Sequence, residues 1–291
     1  MKNMNELRQH LHAVEQTRQI TNAMYLLSTS RMKKAVQNID YNLTYMRRLR
    51  ATMKDILSKT KRNALTNKYI ELHEDGKVLF VVITSDKGLC GGYNAGVMDL
   101  ALKTMARFHN PLLVSLGVMG TESFENRGIK PDFVHYGASQ HPSLFFARHI
   151  AEQLVAAYDE HRVSEVYVVY TEYRNSATHP PVCERILPLL RRDYFDVEYE
   201  YQYTAEPIYE PSVEEVFAHT VPQYIIGLLY DILMQSSASE NAARMTAMQS
   251  ATKNADKMID KLAREINAVR QLSITNEITE IAAATEIAGG V

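Results

Sequence analysis

Apolar residues recur in three-four alternation near both ends of the chain and in unbroken runs between them. The two rhythms divide it into three parts. Near the C-terminal end, Met245, Met248, Thr252, Ala255, Ile259, Leu262, Ile266, Val269 and Ser273 keep strict three-four spacing. A 3.5-residue repeat holds one stripe of a helix against a partner helix, so the spacing predicts one strand of a coiled coil. From 270 to 281 polar groups surround the helix, and a helix polar all round is expected to leave its partner for another environment. Residues 1–62 contain no proline and no glycine, and Met4, Leu7, Leu11 and Val14 open a similar seam. It pauses over the polar stretch 16–22 and resumes as Val36, Ile39, Leu43, Met46, Arg50, Met53 and Leu57. A helix of that length is about 90 Å long, so it must project or pair. The expected arrangement is an antiparallel coiled coil of 1–62 with 212–291; a helical bundle with unseen breaks is the alternative.

Between these ends the pattern changes. Val78 to Thr84 is a continuous β-branched apolar run, the mark of a strand buried on both faces. A glycine-bearing loop and a helical pattern to about His109 follow. Strands are then expected at 112–118, 132–136 and 165–172, with helices at 121–127 and 143–161. Alternating strands and helices predict a small open α/β sheet with mainly parallel strands over 76–205. Pro180 and Pro181 suggest a turn, and 186–190 with the alternating 197–203 reads as antiparallel edge strands. Ser212 with Glu215 three residues later is a capping-box start for the final helix.

Composition narrows the classes. At 46% hydrophobic and 23% charged, the chain is ordinary for a water-soluble protein. The net charge of -2 conceals segregation. Residues 1–62 hold thirteen basic and four acidic residues, a net +9, so the rest carries -11. Cys90 and Cys183 are too few for a disulfide framework, and a reducing compartment is expected. The N-terminus lacks a secretory apolar stretch, and the longest apolar candidate, 224–234, is too short to cross a bilayer.

No constellation in the sequence announces reaction chemistry. Gly88, Gly91 and Gly92 follow a predicted strand, where backbone N–H groups can cradle phosphate. Their spacing fits neither a dinucleotide fingerprint nor a Walker loop, and a tight turn under a packed helix is the plainer reading. Cys90 reads as a small buried residue. The ten histidines include no pair at helical metal-ligand spacing, so no metal site is expected. Asp86 and Glu172 sit at the carboxyl ends of predicted strands, where sites of such sheets form. The tyrosines of 194–209 could stack bases, but Glu198, Glu200, Glu206 and Glu210 among them oppose nucleic acid.

The stretch Ile83-Thr84-Ser85-Asp86-Lys87-Gly88-Leu89-Cys90-Gly91-Gly92-Tyr93-Asn94 resembles the central-domain motif of the γ subunit of F-type ATP synthases. Residues 240–255 and 267–281 resemble that family's C-terminal signatures, and 17–24 its N-terminal one. The likeness covers essentially the whole chain. It implies a central-stalk rotor, a bent coiled coil carrying an inserted Rossmann-like open α/β domain. The implied partners are a hexamer of α and β subunits, the ε subunit and the membrane c-ring, with one copy of this chain per complex. The implied place is the cytoplasmic face of the cell membrane, with no active site, cofactor or metal on the chain itself. By the same resemblance Arg244, Gln271, Thr275 and Glu277 match positions that contact β subunits, and Met24 and Arg270 lie in the matching motifs. Tyr209 and Glu210 match the foot that faces the c-ring. Asp86, Gly88, Cys90, Gly91 and Gly92 belong to the family motif.

Two departures stand out: 26–32 replaces a more alanine-rich pattern, and the tail from 282 extends past the usual ending. There is no cysteine-bearing insertion of the kind that gives plant chloroplast members a redox switch, so an unregulated bacterial-type shaft is expected. One rival is a Rossmann-like enzyme with a coiled-coil arm, which the missing phosphate fingerprint disfavours. Another is a basic adaptor for nucleic acid or membranes, whose binding would fall steeply with salt.

Overall fold

The structure, a computed structural model, describes residues 4–59, 69–70, 76–194, 197 and 208–288. Its elements in order are helix α1 (Met4–Lys59), strand β1 (Lys77–Ile83), helix α2 (Tyr93–Met105), strand β2 (Leu112–Leu116) and helix α3 (Val118–Glu125). Strand β3 (Phe133–His135), helix α4 (Leu144–Asp159), strands β4 (Val163–Thr171) and β5 (Pro181–Leu187), a 3-10 turn (Arg191–Tyr194) and helix α5 (Val213–Ala288) complete them. The chain forms two compact units, one from 1–28 with 245–291 and the other from 29–244.

In the first unit the ends of α1 and α5 pair. Leu7, Val14, Ala255 and Leu262 form its buried centre, and Leu11, Ile259, Ile266 and Val269 pack against them. The pairing is antiparallel. Arg18 meets Asp256, while the Thr252 hydroxyl donates to Thr21 Oγ1 at 2.8 Å, so one chain rises as the other falls. The C-terminal seam follows the expected residues as far as Val269, but Ser273 is exposed with all of 271–280.

The N-terminal seam corrects the expectation. It does not pause over the polar stretch: Leu7, Val14, Thr21, Ser28 and Ala35 are buried at intervals of seven, and Met32, Met46, Met53 and Ile56 continue the same register. Leu43, expected inside, is 41% exposed, and Arg50 is exposed as well. Small hydroxyl residues can occupy a seam when their oxygens find backbone partners. Thr21 Oγ1 donates to the Arg18 carbonyl at 3.0 Å, so its burial leaves no polar group unmet.

The second unit is built on a five-stranded sheet of order β3-β2-β1-β4-β5. The first four strands in that order run parallel, and β5 is antiparallel to β4. Alternation along β1 sends Leu79, Val81 and Ile83 into one core and Phe80 and Val82 into the other. Helix α2 covers the second core through Val97, Met98 and Ala101. On the opposite face α4 supplies Ile150 and Leu154, α1 supplies Met53 and Ile56, and α5 supplies Phe217, Ile225 and Leu229. The apolar stretch 224–234 is thereby covered by the protein's own core. Helices α1 and α5 approach closely where a Cβ on Gly227 would lie 2.8 Å from Met46 Sδ.

Several boundaries move for local reasons. Strand β2 stops at Leu116 because Gly117 takes φ 98, and α3 starts at once rather than at 121. Pro181 opens β5 instead of turning the chain, a position where a proline's missing N–H is tolerated. The edge strand expected over 197–203 lies, Val197 apart, outside the described residues. The Glu215 N–H donates to Ser212 Oγ at 3.2 Å, which is the N-cap bond of the capping box.

Candidate functional site

The loop between β1 and α2 is fastened at almost every residue. Thr84, fully buried, donates through Oγ1 to the Leu116 carbonyl at 2.9 Å and accepts from the Gly120 N–H at 3.0 Å. The Ser85 N–H donates to Asn94 Oδ1 at 3.0 Å, and Asn94 Nδ2 reaches Ser85 Oγ at 2.7 Å and Cys90 Sγ at 3.4 Å. The Asp86 carboxylate accepts the Gly137 N–H at 3.1 Å and the Ser139 hydroxyl at 3.2 Å, which ties the end of β1 to the turn after β3. Cys90 is buried against Tyr93 and Ala243. Burial pushes its thiol up, so it stays a thiol and lacks the nucleophilic thiolate.

Helix α5 holds the middle of the loop. Arg244, 7% exposed, donates from Nη2 to the Lys87 carbonyl at 2.9 Å and from Nε to the Gly88 carbonyl at 3.3 Å. One turn earlier Glu240, 2% exposed, pairs with Arg244 Nη2 at 2.7 Å. Burial pushes the Glu240 carboxyl above its ordinary range, and the adjacent guanidinium opposes that shift. A charge pair removed from water this completely needs close geometry and further hydrogen bonds; Arg244 has both, whereas Glu240 Oε2 is buried without a hydrogen-bond partner.

The loop's leucine escapes this enclosure, as do Lys87, Gly91 and Gly92. Leu89 has φ 62, a left-handed backbone uncommon for a bulky side chain, yet it is 64% exposed. The glycines around it differ in need. Gly91 also takes a positive φ of 59, but a Cβ on Gly88 or Gly92 would meet nothing within 4 Å. Crowding under a packed helix, the sequence-based expectation, therefore does not account for these two.

The remaining candidates are dispersed. Arg270, Gln271, Thr275 and Glu277 all lie exposed on α5 beyond the paired seam. The Thr275 hydroxyl caps the Gln271 carbonyl at 2.8 Å, and Ser273 Oγ lies 3.4 Å from Glu277 Oε1. Met24 is half-buried on α1, Tyr209 is half-buried just ahead of α5, and Glu210 is exposed. Glu172 forms an exposed ion pair with Arg174 at 2.9 Å. The fold thus brings Arg244 to Asp86, Gly88 and Cys90 and leaves Tyr209 and Glu210 elsewhere. Sequence reasoning missed Glu240, whose signal was its i,i+4 spacing to Arg244, and Leu89, whose exposure has no sequence signal. Among the described residues no three His, Cys, Asp or Glu side chains gather to hold a metal.

A family described as ATP synthase matches residues 3–287. The ATP synthase gamma chain of Alkaliphilus metalliredigens is 35% identical over 284 residues, covering 97% of this chain and 98% of that one. That of Caldanaerobacter subterraneus subsp. tengcongensis is 36% identical, covering 93% and 95%. Among solved structures, a chain of the Euglena gracilis mitochondrial ATP synthase OSCP/F1/c-ring aligns over 97% of this chain and 93% of its own, with TM-score 0.67 and 18% identity. A chain of the Tetrahymena thermophila mitochondrial central stalk and c-ring aligns over 80% and 99%, with TM-score 0.58 and 22% identity.

Proposed function

The chain belongs to the ATP synthase gamma-chain family, and on that premise we infer that it is the central-stalk rotor of an F-type ATP synthase. It belongs to a membrane-bound complex and works with the other subunits of that complex. In our reading those are an α/β hexamer around the first unit, with ε and the c-ring beside the α/β domain. One copy serves each complex at the cytoplasmic face of the membrane. ATP is made or hydrolysed on the hexamer, and this chain has no active site of its own. The terminal segments 1–62 and 212–291 act as the shaft, and 76–205 as the domain at its foot.

The mechanism follows from asymmetry. Chemically identical catalytic pockets differ in affinity only if something contacts them unequally, and a contact shifts an equilibrium only by its differential interaction with the states. A two-helix shaft turning inside the hexamer supplies that inequality to each pocket in turn and couples ion flow to nucleotide binding and release. Leu262 and Val14 hold the helices together as one body. Arg270, Gln271, Thr275 and Glu277 offer exposed polar contacts that form and break as the shaft turns, with Met24 on the opposing helix; Tyr209 and Glu210 face the c-ring. The observation that carries this reading is the full-length family match of a chain whose α5 runs on, exposed, past its pairing partner.

The test is to isolate a tagged copy from its host without crosslinker and identify what accompanies it. Stoichiometric α and β subunits with ATPase activity in the eluate support the reading. A chain recovered alone, or with metabolites and no ATPase partners, overturns it.

A further inference from the structure

We propose that His135, His149 and Gln153 form a surface site for a divalent transition metal of the zinc class, which clips the edge strand β3 to helix α4. The site lies within the α/β domain and is independent of the rotor reading.

Two elements deliver the donors to one point. His149 and Gln153 stand one turn apart on α4, the i,i+4 spacing that puts two side chains on the same face. His135 ends β3, and its ring meets that of His149 edge to face with centroids 5.6 Å apart. The Gln153 amide touches both rings: its Oε1 lies 3.0 Å from His135 Nε2, and its Nε2 lies 3.3 Å from His149 Nε2. Both imidazoles therefore aim the same nitrogen at one amide group. Two imidazoles that share a tetrahedral ion through zinc–nitrogen bonds have centroids roughly 5 Å apart, so only a small side-chain adjustment separates this arrangement from a chelate.

Burial does not force the arrangement. His149 and Gln153 are exposed and His135 is half-buried, so water is available to all three groups. Holding them on one another costs rotamer freedom for hydrogen bonds of small net worth. A ligand set already gathered lowers the ordering cost of binding an ion. Two imidazoles with one amide oxygen suit zinc, copper or nickel, whereas magnesium and calcium take oxygen sets. The amide oxygen only accepts, so His135 Nε2 carries its proton in this arrangement. On binding, that proton passes to Nδ1, the freed Nε2 lone pair joins that of His149 on the ion, and Gln153 Oε1 turns to it. Water completes the tetrahedron. Because the donors come from a strand and a helix, spacing along a single helix does not reveal them.

The experiment uses the full-length chain, stripped of metal with EDTA and dialysed, and titrates it with ZnCl₂ by calorimetry. One Zn²⁺ per chain is expected. Zn²⁺ at ten times the measured Kd is expected to raise the melting temperature by about 3 °C, and Mg²⁺ at the same concentration is expected to leave it unchanged. His135→Ala and His149→Ala are each expected to abolish the Zn²⁺ shift while melting like wild type without metal, since both side chains are at the surface. Gln153→His, which replaces a weak amide ligand with a third imidazole, is expected to tighten Zn²⁺ about tenfold or more. Cu²⁺ on the wild-type chain is expected to show paramagnetic splitting from two imidazole nitrogens. Absence of a Zn²⁺ shift, or a shift that survives in either histidine variant because the ion sits on other histidines, overturns the site. Gln153→His binding no tighter than wild type overturns the convergence of the three donors.

Discussion

At the scale of the residue, Arg244 carries most of the consequence. Its removal strands Glu240 as a buried charge without a cation, and breaking such a pair costs about 3–5 kcal/mol. Arg244→Ala is therefore expected to lower the unfolding free energy of the chain, measured by denaturant titration, by that much. Glu240→Leu with Arg244→Met, which removes both charges at similar volume, should recover most of the loss; a double variant as unstable as the single one would contradict the pairing argument. Gly117→Ala is expected to cost roughly 3 kcal/mol or more, because φ 98 is strained for alanine and its Cβ would sit 2.3 Å from the Thr84 carbonyl oxygen. A melting temperature close to wild type would refute that. Burial of Cys90 was legible from its company of small residues. The inward turn of Arg244 was not, because a basic residue on a helix reads as surface until the carbonyls opposite it are known. Leu89 is the harder case, since a leucine beside a cysteine and glycines carries no sign that it faces water.

At the scale of the element, the strands were easier to read than the helices. A strand buried on both faces must be apolar at every position, and Val78 to Ile83 shows it without ambiguity. Helix α1 hid its register because Thr21 and Ser28 are seam residues in polar disguise. Replacing both members of the hydroxyl pair, Thr21→Val with Thr252→Val, is expected to leave stability unchanged or raise it, since removing two partners together leaves none unsatisfied; a loss above about 1 kcal/mol in thermal unfolding would refute this.

A second polar group on the helices sets a pH dependence. Burial pushes Asp231 on α5 above the ordinary carboxylate range, although Gln235 donates to it at 2.7 Å and Asn42 and Arg50 of α1 also favour its charged form. Burial does the same to Glu184 on β5, which accepts from the Tyr170 hydroxyl at 3.1 Å with Glu172 and Arg50 near. Both acids hold their protons to higher pH folded than unfolded. They contribute stability in full below the ordinary carboxylate range and lose it as pH rises through their folded values. Asp231→Asn should flatten that fall, melting above wild type at pH 8 and level with it at pH 4. A wild-type melting temperature that climbs across this interval would contradict the assignment.

At the scale of the whole molecule, the layout of helix, α/β domain and helix was legible because each part repeats at its own period. The division of contacts was not, because α1 changes company at residue 28 and α5 at residue 245 without any break in helix or pattern. Ile274 and Ile278, 44% and 62% exposed, belong to the stretch of α5 that runs past its seam. Replacing both with serine is expected to leave the melting of the free chain within about 0.5 kcal/mol of wild type and to reduce pumping per ATP in the assembled complex. Unchanged pumping would remove that stretch from the working surface. The first unit has a further property as a mechanical part. Its strict seven-residue repeat makes the paired helices wind about each other in a left-handed sense. A two-stranded rope of fixed hand is wound tighter by torque of one sense and opened by torque of the other. The stiffness of this shaft therefore has a sign, and the two directions of rotation meet springs of different strength.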